Sequence, residues 1–366
     1  MKDSNSNLNP FARSTGYRLA EWAACAAIHY SGLDRRLGPL HARPGQVGAI
    51  LMYHRVHPDS TGAPWQLERR HFRAQIAHLK RNYRVLPLAE MVAALAKERP
   101  LPPRAVAVTF DDGYQDNWTE AFPVLRELAC PATIFLTAGL VGTSDTMWWD
   151  KLQYALQATR LEQAEVTRVL AERHRLPAPD FAAASSEGLV EVLKQVPEAE
   201  KQHVVAQIAA DLGVDAESNA RDRMMTWEEA RAMTASGLVT MGAHTVSHRN
   251  LKHLPIAEAR QEILDSRRIL ERELATQVDF FAYPFGNPAN DYTPAVKAAV
   301  REAGFKAAFS VVLGLVSPGD DLFELPRFCE SHERWQAPTG NYSRALFDVY
   351  LSGARENLGA ALKGSA

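Results

Sequence analysis

Cysteine is scarce. Cys25, Cys130 and Cys329 are the only three in 366 residues, and no CxxC pair is present. That excludes a disulfide framework and a thiolate zinc knuckle, so buried reduced thiols are expected. A dominant charge is also missing: 41 basic residues face 43 acidic ones, for a formal net charge of -2. With no basic field, no nucleic-acid partner is expected. Long apolar runs are absent too. The best one, LAEWAACAAI at 19–28, is short and interrupted by Glu21, whereas a spanning helix needs about 20 apolar residues. It also lacks the layout of a secretory signal. The chain therefore reads as cytoplasmic or membrane-peripheral. Leu19, Trp22, Ala23 and Ala26 share a helical face with Arg13, Arg18, Arg35 and Arg36 around it. That helix either packs on the domain or rests on a membrane surface.

What is present is apolar material for a large core, 46% of residues, in an alternating rhythm. Strands are expected at VGAILMY (47–53), RAVAVTF (104–110), PATIFL (131–136), LVTMGA (238–243), VDFFAY (278–283), KAAFSV (306–311) and LFELPRF (322–328). Amphipathic helices are expected between them at 71–83, 88–98, 118–129, 226–237, 256–275 and 293–304, with a closing helix at 343–353. Residues 146–222 break the rhythm and read as a helical insertion, serving either as a wall over a site or as padding. Short buried strands alternating with helices argue for an α/β fold with a parallel sheet. The organisation read from this is an N-terminal helical extension (1–46), a catalytic domain (47–335) and a C-terminal helix and tail (336–366).

In parallel α/β folds, ligands bind beyond the C-terminal ends of the strands. Four of the seven expected strands place polar or turn residues there: His54; Asp111, Asp112 and Gly113; His244 and His248; Pro284, Phe285 and Gly286. Adjacent carboxylates tolerate one another if a cation takes one. One aspartate with two histidines is a sensible three-ligand set for Zn²⁺, leaving a place for water. The other aspartate could then take a proton from that water. On one helical turn, both histidines of an HxxxH can meet one ion. A dehalogenase-type phosphatase needs two aspartates separated by one residue, which the adjacent pair does not provide.

These residues carry a resemblance. TFDDG at 109–113, HTVSH at 244–248 and FAYPFG at 281–286 match the three core motifs of the polysaccharide deacetylases with a NodB-homology domain, carbohydrate esterase family 4. The likeness covers about residues 47–330, and ILMYHRV (50–56) is similar to a subgroup that contains poly-N-acetylglucosamine deacetylases. It implies a distorted (β/α) barrel of about seven parallel strands. It further implies hydrolysis of N-acetyl groups on an amino-sugar glycan, with metal-bound water as nucleophile. The ion would be Zn²⁺, Co²⁺ or another transition metal on Asp112, His244 and His248. Asp111 would be the general base, and the Phe285 N–H, following Pro284, would stabilise the oxyanion.

The sequence departs from the family pattern twice. Ala282 stands where many members carry a base-orienting arginine, and no C-terminal Leu-x-His supplies a general acid; His332 sits in a different context, ESHERW. His54 is expected to replace that acid and Arg327 that arginine. Tyr283, Pro284, Trp148 and Trp149 are expected to line the substrate. Alternatives are a catalytically silent glycan-binding barrel and a same-fold hydrolase of a non-glycan amide or ester.

Overall fold

Seven parallel strands line up in one sheet, all at the expected places. In chain order they are β1 (Gly48–Tyr53), β5 (Ala105–Phe110), β6 (Ala132–Leu136), β7 (Val239–Ala243), β8 (Phe280–Ala282), β9 (Ala307–Phe309) and β10 (Phe328–Cys329). The computed structural model describes residues 15–42, 46–59, 66–178, 187–216, 223–330 and 335–354. His332 and Arg13 lie outside the described residues. Three short strands were not expected. β2 (Arg55–His57) pairs with β3 (Gln66–Glu68), and β4 (Arg84–Val85) adds to β5.

The spatial order is β10-β1-β5-β6-β7-β8-β9, a curved half-barrel. The gap between its edges is spanned by one continuous segment. Leu322 and Leu325 exchange backbone hydrogen bonds with Ala308 and Ser310 beyond β9, and residues 328–330 then bond to β1. The expected strand 322–328 thus serves both edges in turn, which is the distortion of the barrel.

Strand residues alternate between two cores with the period of two that β-geometry imposes. Ala49, Leu51, Val106, Val108, Ile134 and Met241 pack outward against helices. Ile50, Ala105, Ala107, Phe135, Phe280, Ala282 and Phe309 face the bore, whose floor is the helix Leu88–Ala96. Both faces are buried, which is why the strands read as unbroken apolar runs. Gly242 lies where the bore is tightest: a Cβ there would sit 2.4 Å from the Phe135 ring and 3.1 Å from the Phe280 carbonyl oxygen.

The expected helix 118–129 is in fact two pieces, a π-helical turn (Asn117–Ala121) followed by an α-helix (Phe122–Glu127). Pro123 has no N–H to continue an α-helical ladder, so the register changes just before it. Thr226 starts the helix Trp227–Ala235 through a reciprocal capping box with Glu229. The insertion folds as four helices, Trp148–Ala158, Gln163–His174, Glu187–Leu193 and Glu198–Asp211. They share an apolar core of their own that includes Leu152, Leu170, Leu193 and Ile208.

The N-terminal helix Thr15–Tyr30 packs on the C-terminal helix Arg344–Leu351. Its inward face is Trp22, Cys25 and Ile28, whereas Leu19 is 52% exposed, so the expected face is turned by part of a turn. Among the described residues no disulfide forms; Cys25 and Cys130 are buried and Cys329 is half-buried. Among the described residues, no helix is long and apolar enough to cross a membrane.

Replacing Gly242 with alanine should force Phe135 out of place and cost about 1–3 kcal/mol. Urea denaturation of G242A beside the wild type measures this.

Candidate active site

The parallel register brings the strand ends within two residues of one another. Tyr53 pairs with Phe110, Leu136 with Ala243 and Ala282 with Phe309, while Phe110 pairs with Ile134 and Ala243 with Phe281. The next residues on each strand therefore crowd around one rim: His54, Asp111, Thr137, His244 and Tyr283.

Residues 105, 107, 109 and 111 share the bore-facing side by alternation, which carries Asp111 inward. There it meets Arg327, which is fully buried. Arg327 Nη1 donates to Asp111 Oδ1 at 2.8 Å and Nη2 to Oδ2 at 2.7 Å. Arg327 Nε donates to the Ser310 carbonyl at 3.0 Å, which holds the fork in plane. The next two residues turn sharply. Asp112 has φ 76° and Gly113 has φ 88°. Aspartate visits this left-handed region at modest cost. At Gly113 a Cβ would also strike the Leu136 side chain at 2.6 Å. The turn sends Asp112 away from Asp111 and towards the histidines.

Asp112 Oδ1 lies 3.3 Å from His248 Nε2 and 3.5 Å from His244 Nε2, and all three residues are buried. His244 Nδ1 donates to the Ala282 carbonyl at 2.8 Å, so its Nε2 presents a lone pair to the cluster. The two histidines follow β7 and do not sit on a helical turn. They occupy a loop with φ 63° at Thr245 and 57° at His248. Glu262 pins that loop by accepting from the Val246 and Ser247 N–H groups at 3.0 Å each. The donor set, its burial and the His244 tautomer fit a zinc-type ion held by Asp112, His244 and His248.

Burial pushes the Asp111 carboxyl up, but the Arg327 guanidinium, aided by His244, holds it below the usual carboxylate range. Burial acts the same way on Asp112, and its contacts with the His244 and His248 imidazoles overcome it, holding it well below. The two histidines diverge. Burial lowers His244, yet contact with Asp112 and the charge of Asp111 bring it above its ordinary value. Burial dominates at His248, and its neighbour His244 adds repulsion, so its pKa falls.

His54 follows β1, close enough to both carboxylates for its charge to act on them. Its Nδ1 is buried without a hydrogen-bond partner among the described residues. Phe285 takes φ 59° in the turn after Pro284, and its ring meets His248 edge-on at 4.9 Å. Its N–H makes no backbone hydrogen bond among the described residues. Pro284 is buried beneath this turn.

Three expectations for substrate contact change. Tyr283 is buried, its ring stacked on Tyr292 at 3.9 Å and its hydroxyl donating to the Phe323 carbonyl. It therefore has no face to offer a sugar. Trp148 is buried in the insertion core, and Pro284 is buried as well. Arg327 has no exposed surface and cannot touch a substrate; it reaches Asp111, the group it was expected to orient. Trp149 is half-buried, with its ring edge-on to His248 at 4.8 Å.

Sequence reasoning missed what holds Trp149. Its Nε1 donates to the Tyr114 hydroxyl at 3.1 Å, and that hydroxyl donates to Asp150 at 2.6 Å. The aspartate directly after two tryptophans, in MWWD, was the available signal. Asp116 was also passed over; it accepts from Arg55 Nε at 2.7 Å and ties β2 to the aspartate turn.

Comparison with known proteins decides the family. The polysaccharide deacetylase profile matches residues 98–178 and 184–308, more than half of the chain. The chain belongs to the polysaccharide deacetylase family. This family member is 21% identical to YxkH of Bacillus subtilis, a protein provisionally named as a polysaccharide deacetylase, over 76% of this chain and 69% of that one. It is 43% identical over 61 residues to the poly-beta-1,6-N-acetyl-D-glucosamine N-deacetylase of Escherichia coli. That stretch is 16% of this chain and 9% of the relative's length. Among solved structures, IcaB from Ammonifex degensii aligns with TM-score 0.56 at 22% identity, covering 84% of this chain and 98% of its own. The Streptococcus pyogenes deacetylase PplD aligns with TM-score 0.53 at 19% identity, covering 80% and 96%. At those identities the two structures speak for the fold alone.

Replacing Arg327 with methionine should strand a buried carboxylate and cost about 3–5 kcal/mol. The double variant Arg327→Met, Asp111→Asn should recover much of it. Because the folded pKa of Asp111 is depressed, the pair stabilises above the ordinary aspartate value of about 4. The gap between wild type and R327M should shrink as pH falls through the folded value. Denaturation at pH 7 and at pH 3 tests both statements.

Proposed function

We propose that this protein hydrolyses N-acetyl groups on an amino-sugar glycan, using one divalent ion bound by Asp112, His244 and His248. The observation that carries the reading is the pair of neighbouring aspartates sent to different partners, Asp112 to two imidazoles and Asp111 to a bidentate arginine. The stretch similar to the E. coli poly-beta-1,6-N-acetyl-D-glucosamine N-deacetylase favours an N-acetylglucosamine polymer or glycan intermediate as substrate.

When bound, the ion supplies positive charge that polarises the acetamide carbonyl and acidifies an attacking water. Every other part belongs to the chain. Asp111 stays ionised and takes the proton from that water. Each of its oxygens donates one lone pair to Arg327 and keeps another for this task. The Phe285 N–H donates to the developing oxyanion. His54 gives a proton to the departing amine, so that acetate and a free amino sugar leave. Trp149 and Phe285 form an aromatic wall beside His248 on which a sugar ring can lie.

Acetate release from chito-oligomers, measured with zinc-loaded and chelator-treated protein, tests the reading. Release should stop with chelator and return with the ion. Absence of release from every N-acetylated glycan tried would favour a silent binding barrel or another amide substrate. Asp112→Asn should lose bound metal and activity together. His54→Asn should keep the metal and lower kcat by about 10²–10⁴, the usual contribution of a general acid. Protons compete with the ion for both imidazoles and for Asp112, so zinc occupancy in equilibrium dialysis should fall at acidic pH.

A further inference from the structure

Away from the active site, three elements meet at a second buried cluster. His29 lies near the end of the N-terminal helix, Asp34 on the short helix Leu33–Leu37, and Asp348 on the C-terminal helix. Their donor atoms all lie within 4.8 Å of one another. His29 Nδ1 is 2.8 Å from Asp34 Oδ2 and 3.6 Å from Asp348 Oδ2. Asp34 is 1% exposed and Asp348 6%. Each carboxylate is held from behind by its other oxygen. Asp34 Oδ1 accepts from the Arg35 N–H at 2.9 Å. Asp348 Oδ1 accepts from His78 Nε2 and from the Tyr83 hydroxyl, both at 2.7 Å.

Among the described residues, no lysine or arginine pairs with Asp34 or Asp348. Two buried carboxylates thus converge on one imidazole with no ammonium or guanidinium beside them, and like charges buried together are costly. A divalent cation held between the three donor atoms offsets both.

We propose that His29, Asp34 and Asp348 bind a small divalent transition ion such as Zn²⁺. One imidazole nitrogen and two carboxylate oxygens form a standard donor set, with a fourth position for water. The hydrogen bonds from His78, Tyr83 and Arg35 orient the ligands from outside. The ion fastens the N-terminal extension to the C-terminal helix and, through His78, to the barrel helix Arg69–Asn82. It shares no residue with the Asp112 cluster, and it stands whether or not the deacetylase reading does.

The test uses the full chain carrying Asp112→Asn and His248→Asn, in which the second cluster is intact. After chelator stripping and dialysis against Zn²⁺, elemental analysis should find about one zinc in this variant and about two in the wild type. Zn²⁺ should also raise the variant's unfolding temperature by several degrees. Adding His29→Gln to the same background should abolish both the zinc and the shift. In the otherwise wild-type protein, His29→Gln should retain one zinc and the acetate-releasing activity. No zinc and no thermal shift in the active-site double variant would overturn the proposal, as would zinc retained equally after His29→Gln. The thermal shift is read on an unaltered cluster, so the answer does not depend on His29→Gln folding well.

Discussion

The alignment of parallel strand ends is the constraint on which the rest of the molecule depends. Backbone pairing staggers the strand ends by no more than two residues: Tyr53 pairs with Phe110, Phe110 with Ile134, Leu136 with Ala243, Ala243 with Phe281 and Ala282 with Phe309. Whatever follows them must meet on one rim. Every polar group of the candidate centre is one to five residues beyond such an end, except Arg327, which enters on the segment that closes the barrel. A register slip of one residue would turn Asp111 out of the bore and separate it from that arginine.

Adjacent like charges survive at this rim because the backbone parts them. Alternation directs Asp111 into the bore, where a buried guanidinium fork neutralises it. The left-handed turn at Asp112 and Gly113 directs the next carboxylate to the two imidazoles. One strand end thereby supplies a group suited to proton transfer and a group suited to holding a cation, with opposite partners and no shared one. The family profile begins at residue 98 and ends at 308, so it contains neither His54 nor Arg327. His54 follows β1, which lies next to the edge strand β10, and Arg327 lies on the closing segment directly before β10.

The helical insertion is more than padding in one respect. Trp149 reaches from its first helix to His248 and is held there by Tyr114, two residues after Asp112. Phe285 and Trp149 both contact the insertion core and the histidine loop. The loop that carries His244 and His248 and the insertion consequently share a packing surface.

Much was legible in the chain itself. Seven apolar runs, each buried on both faces, announced the strands, and the polar residues at their ends announced the rim. Thr226 with Glu229 announced a helix start because a capping box is local chemistry. Other features were not legible, because they depend on groups distant in the chain. Nothing near Tyr283 says that Tyr292 will stack on it. His244 and His248 have helical spacing, yet Glu262 holds them in a loop. The histidine at 29 looks like an ordinary surface residue until Asp348, 319 positions later, folds against it. Local sequence determined which segments are strands and helices and which side chains can ligate or transfer protons, since periodicity and residue chemistry act over a few residues. Only the tertiary structure decided which of those side chains meet and which are buried beyond use, since distance and burial are set by the packing of the whole chain.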